Sequence, residues 1–121
     1  MCIRDRVKGA TLFELVRRAV EGTAHSGLEI SGLHVRADID AAGKRTLAEV
    51  LVAGAPLEPE RVYRVALNSF MADGGDAYLD AGAILERKES GVLIREALED
   101  AFAAQPELTA PVENRYEARP R

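Results

Sequence analysis

The chain has 121 residues, 47% apolar and 30% charged, the composition of one globular domain; this excludes a disordered or collagen-like chain. A net charge of -4 with no basic stripe argues against nucleic acid as partner. No apolar run is long enough to span a bilayer, and the single cysteine, Cys2, rules out an intrachain disulfide.

The opening MCIRDR, Met1 to Arg6, resembles the in-frame translation of a transposase adapter used in preparing sequencing libraries. Residues 1–6 are therefore expected to be a non-native tail, with the natural N-terminus lying upstream. Next, TLFELVRRAVEG places Leu12, Leu15, Val16, Ala19 and Val20 on one face at helical spacing. Thr11 and Glu14 match a capping box and Gly22 a stop signal, so the spacing predicts a helix over 11–21. LEISGLHVRAD alternates with period two but slips by one residue at Ser31-Gly32, which predicts a strand bulged at that point. Asp40 to Arg45 reads as a turn, TLAEVLVAG as a second strand, APLEPER as a loop and VYRVALNSF as a third strand. Short connections predict that these three form an antiparallel meander.

Val92, Leu93, Ile94, Ala97, Leu98, Ala101 and Phe102 then form the broad apolar face of a second helix over 91–104, with Ser90 as its N-cap. APVENRYEARPR adds a short last strand, and residues 118–121 a polar tail. The expectation is an α+β domain over 7–117: a mostly antiparallel sheet packed with two amphipathic helices. Because the first helix follows directly on the expected tail, the sheet is expected to lack strands that precede it.

Most site classes find no support in the residues. His25 and His34 have no neighbours at metal-ligand spacing, and neither a nucleophile elbow nor a phosphate loop of glycines occurs. Asp73, Asp76 and Asp80 lack the ligand spacing of a calcium loop. What stands out is NSFMADGGDAYLD, residues 68–80, in which Gly74-Gly75 permits positive φ and a close backbone approach. That turn would present Asp76 near Phe70. A ring and a carboxylate held together make a nucleoside grip, the ring stacking on a base and the carboxylate accepting from ribose hydroxyls. The same residues are equally those of a core aromatic followed by a hairpin turn, and spacing does not separate the two.

YRVALNSFMADGGDAY resembles the signature of the C-terminal, substrate-binding domain of the 5'-nucleotidases, a family that also includes UDP-sugar hydrolases and 2',3'-cyclic phosphodiesterases. The likeness extends in order through GATLFELVRRAV, LEISGLHVRAD, GVLIREALEDAF and VENRY, with Asn68-x-Phe70 followed by Gly74-Gly75-Asp76 as its most specific part. It implies that Phe70 stacks on the nucleobase and that Asp76 holds the ribose. In the family a second ring closes the other face of the base, and the matching position here is Gly27; the position commonly glutamine is Glu29, and the glycine after Gly-Gly-Asp is Ala77. Losing one stacking face is expected to cost about 1–3 kcal/mol in base binding.

The resemblance further implies a partner domain, a metallophosphoesterase preceding this one, that binds two divalent metal ions and does the hydrolysis. The expected ligand is a nucleotide or nucleoside, the expected catalytic and metal-binding residues of this chain are none, and the implied location is periplasmic, secreted or cell-surface. Two other readings stay open: a non-catalytic packing module with a degenerate pocket, and a member of the family acting on a non-nucleotide substrate.

Overall fold

A strand of alternating burial opens the chain. The computed structural model describes residues 2–22, 28–110 and 113–120. Within it, strand β1 (Cys2–Lys8) buries Ile3, Asp5 and Val7 and turns Arg4, Arg6 and Lys8 outward. Residues 2–6, the part of the expected tail that the structure describes, lie in this strand, the middle one of a three-stranded antiparallel sheet. β1 is flanked there by β5 (Val62–Asn68) and β6 (Glu86–Glu89).

Helix α1 spans Gly9–Glu21 and buries Gly9, Leu12, Leu15 and Val16, the face that the spacing predicts. It begins ahead of Thr11, and no side chain caps it; Lys8 is the last extended residue. Gly9 makes this early start possible. A Cβ there would stand 1.9 Å from the Glu58 carbonyl oxygen, so only glycine lets the helix meet the segment before β5. The Gly9 amide donates to the Arg61 carbonyl (2.8 Å) and the Ala10 amide to that of Pro59 (2.9 Å). Glu14, freed from the capping role, pairs with Arg17 and Arg18.

A second, four-stranded sheet has the order β4-β3-β2-β7, from Ala55–Pro56, Arg45–Val52, Leu33–Ile39 and Tyr116–Pro120. β2 and β3 are antiparallel, whereas β7 lies parallel to β2. The bulge expected at Ser31-Gly32 is corrected. Gly32, at φ +78°, turns the chain before the ladder starts, and Leu28 and Ile30 pack on the core from outside the strand. The true register shift falls between Arg36 and Ala37, where Arg36 opposes Glu49 and Ala37 opposes Leu47. The meander is corrected too. Its third strand, β5, crosses to the other sheet and pairs with β1, because the 57–61 segment is tied across the start of α1.

Leu15 and Val16 of α1 meet Val35 and Val50 of the second sheet together with Tyr78 and Leu79, and a smaller cluster joins Val7, Leu12 and Tyr63. Helix α3 (Ile94–Ala104) starts later than the spacing predicts, since Ser90 is engaged elsewhere. Its hydroxyl donates to the Cys2 carbonyl (2.7 Å), and the Glu96 carboxylate accepts from the Leu93 amide (3.0 Å). α3 buries none of its residues, and Leu93, Ile94, Leu98 and Phe102 are exposed. The class is α+β as expected, with one helix packed and one presented. No described helix is long and apolar enough to cross a membrane.

Candidate functional site

β5 ends at Asn68, whose side-chain oxygen accepts from the Met71 amide at 2.8 Å. That bond caps the single helical turn α2 (Ser69–Ala72) and so sets the direction in which Phe70 leaves the strand. Ala72 is fully buried, while Phe70 is 59% exposed. An exposed ring has few core contacts to fix its orientation, so that orientation depends on local support. Here that support is backbone: a Cβ on Gly75 would lie 2.5–2.6 Å from three atoms of the Phe70 ring. The ring therefore rests on the bare peptide of Gly75, and the glycine pair and the aromatic form one unit.

Gly74 takes φ +88°, and its amide donates to the Met71 carbonyl at 3.0 Å. Asp76 and Ala77 follow at φ +58° and +56°. Two successive non-glycine residues in the left-handed region cost about 1–2 kcal/mol each, with the Asp the better tolerated. Ala77 thus adopts a conformation suited to glycine. The turn is closed by the Ala77 amide donating to the Gly74 carbonyl (3.1 Å) and by the Arg18 guanidinium donating to the Ala77 carbonyl (3.0 Å). Tyr78 and Leu79, both buried, anchor the far end of the loop in the core.

The other aspartates of the loop have structural work. Asp73 accepts from Arg87 of β6 at 2.6 Å, and Asp80 caps the turn over 81–83 by accepting from the Gly82 amide at 3.0 Å. Among the described residues no group of three or more His, Cys, Asp or Glu side chains could hold a metal ion.

Behind Arg87 lies a group the sequence reading missed. Asp5 pairs with Arg87 in the β1–β6 register, is 0% exposed, and has no hydrogen-bond partner for either carboxylate oxygen. Burial pushes its carboxyl above the ordinary value, against the opposing pull of the Arg87 charge. Glu14 goes the other way: its hydrogen bond with Arg17 brings it down to about 2, helped by the bond with Arg18.

Of the expected site residues, Asn68, Phe70, Gly74, Gly75 and Asp76 lie on one continuous turn, and Gly27 lies outside the described residues. His25 is outside them as well. A cleft of about 250 Å³ separates α1 from the far end of the loop, lined by Thr11, Glu14, Arg18, Tyr78 and Asp80 among others. A larger groove of about 440 Å³ runs between α1, residues 28–30 and Tyr116, and neither Phe70 nor Asp76 lines it. The Phe70 to Asp76 turn is an open platform whose single aromatic face is supported from below.

The strand, exposed ring, double glycine and aspartate form one continuous surface feature. Residues 3–81 match the model of the 5'-nucleotidase C-terminal domain, and the chain belongs to that family. No curated protein matches it. Among solved structures it is similar to a 5'-nucleotidase precursor from Thermus thermophilus, with 28% identity and a TM-score of 0.83 over 98% of this chain and 25% of that one. A putative 5'-nucleotidase from Staphylococcus aureus, solved with alpha-ketoglutarate, shares the fold at 18% identity and a TM-score of 0.64, over 98% of this chain and 27% of that one. So does the Thermus thermophilus sulfate thiohydrolase SoxB, solved with glycerol, at 21% identity and a TM-score of 0.65, over 97% of this chain and 22% of that one. The chain thus spans about a quarter of the length of these relatives.

Proposed function

We propose that this chain holds the nucleoside moiety of a nucleotide for a 5'-nucleotidase-like phosphoric ester hydrolase. The observation that carries the reading is the Phe70 ring laid on the bare Gly75 peptide one residue before Asp76. A fixed ring face offers stacking to a base, and a carboxylate on the adjacent residue accepts from ribose hydroxyls. Neither group does chemistry. Their contribution is to hold the ester at the place where another domain attacks it, which converts binding into orientation.

In this proposal the hydrolytic step belongs to a metallophosphoesterase domain of the intact protein, whose two divalent ions would activate water and clamp the phosphoryl oxygens. The relatives' greater length leaves room for such a domain. A periplasmic, secreted or cell-surface location belongs to the same proposal. The chain alone is expected to release no phosphate. One residue favours a second reading: Gly27 stands where the family has its second ring, and a single stacking face suits a ligand without a base, or a module that only packs.

The test joins the chain to its metallophosphoesterase domain and measures phosphate release from nucleoside monophosphates with divalent metal. Loss of turnover or a raised KM in Phe70→Ala and Asp76→Ala supports the grip. Unchanged kinetics in both would sink it.

A further inference from the structure

We propose that Arg18 is a positioning residue for Asp76, acting from α1 through the backbone of Ala77; this rests on the nucleoside-grip reading above. Three observations converge on it. First, Asp76 and Ala77 both sit at positive φ, +58° and +56°, so the turn that aims the Asp76 carboxylate is not the one the chain prefers. Left to itself, a non-glycine residue there relaxes to negative φ, and the side chain before it swings away. Second, the Arg18 guanidinium reaches across 59 positions of sequence to donate to the Ala77 carbonyl at 3.0 Å. That bond fixes the orientation of the peptide immediately following the two strained residues. Third, Arg18 is itself held: Glu14, one turn earlier on the same helix, accepts from its Nε at 3.3 Å.

The helix is a firm base for such a clamp, because it is buried through Leu12, Leu15 and Val16. The loop is firm at its other end, where Tyr78 and Leu79 enter the core. Between these anchors the Ala77 carbonyl takes a hydrogen bond from the helix to the turn. A hydrogen bond from a charged donor is worth roughly a tenfold change in the population of the turn it holds. The clamp serves the ribose half of the site only. Phe70 is placed by the Asn68 cap and by Gly75, neither of which Arg18 touches.

The experiment uses the full chain and three variants, Arg18→Met, Arg18→Lys and Arg18→Met with Ala77→Gly, each checked for an unchanged far-ultraviolet spectrum. Amide exchange at Ala77 is read first. Arg18→Met is expected to speed it about tenfold, with α1 amides unchanged, and Arg18→Lys to restore most of the protection. Titrations with adenosine and with adenine follow. Arg18→Met should weaken adenosine about tenfold and leave adenine unaltered, and Ala77→Gly, which removes the strain, should recover much of the loss. Ala77 exchange unchanged in Arg18→Met overturns the clamp. Faster exchange with an unchanged ratio of adenosine to adenine affinity overturns its role in positioning. No adenosine binding by the unsubstituted chain overturns the nucleoside reading itself, and the exchange data still decide whether the clamp exists.

Discussion

Asp5 offers the sharpest test of the packing. It lies on the central strand of its sheet, 0% exposed, with neither carboxylate oxygen hydrogen-bonded. Replacing it by valine removes an unsatisfied buried group, which costs about 1–3 kcal/mol. It also buries a β-branched apolar side chain suited to a strand, worth about 1.5–3 kcal/mol, less about 1 kcal/mol for the extra bulk. Arg87 keeps its ion pair with Asp73 in the variant, so no new orphan charge appears. Asp5→Val is therefore expected to be more stable by about 1.5–5 kcal/mol at neutral pH. Urea unfolding should show this as a higher midpoint at unchanged slope. The sign of the pH dependence follows from burial, which raises the Asp5 carboxyl above its ordinary 3.8 in the folded chain. The folded state then binds the proton more tightly than the unfolded one, so the penalty is full above the raised value and vanishes as pH falls to 3.8. The gap between the two proteins should accordingly narrow on acidification. A destabilised Asp5→Val, or a gap independent of pH, would refute the reasoning and make Asp5 a needed partner of Arg87.

Other substitutions separate packing from the site. Gly75→Ala puts a Cβ within 2.6 Å of the Phe70 ring and forces the ring aside; because the ring is exposed, stability should fall by less than about 1 kcal/mol, while adenosine binding is lost in the same titration. Gly9→Ala meets the Glu58 carbonyl oxygen at 1.9 Å, backbone that cannot swing away, and the thermal midpoint should drop by an amount equivalent to about 1–3 kcal/mol. Glu14, held down at about 2 chiefly by its bond with Arg17, lends stability that is present above its ordinary 4.5 and is lost as pH falls toward 2. Since the pair is more than a third exposed, Glu14→Gln should remove only about 0.3–1 kcal/mol at neutral pH, and distinctly less at pH 2.

Local pattern carried part of this fold into view. The Leu12, Leu15, Val16 spacing identifies α1 and its buried face, and β-branched alternation identifies β3 and β5, because each signal lives within a few residues. Pairing does not. Nothing in VYRVALN says that it will lie beside Cys2–Lys8 rather than beside β3; that follows from the anchoring of residues 57–61 on the start of α1. β6 is the harder case, since ERKE is exposed at all four positions and has no alternation to read. At Ser31-Gly32 a slip in period two was legible but ambiguous: a bulge and a chain reversal by a glycine at positive φ leave the same mark. In the candidate site, Gly74-Gly75 announced the turn and a close backbone approach, but not that the Phe70 ring is what lies against Gly75. The contacts that steady it, from Arg18 to Ala77 and from Arg87 to Asp73, join residues too far apart in sequence for any motif to link.

The most direct test of the proposed nucleoside grip is a heteronuclear NMR titration of the chain with adenosine. One supported ring face and one carboxylate, without a second ring at Gly27, predict weak, millimolar-range binding, with shifts concentrated at Phe70, Gly75 and Asp76 and abolished by Phe70→Ala. Saturation with no shift in residues 68–78, or shifts confined to the groove beside Tyr116, would contradict it.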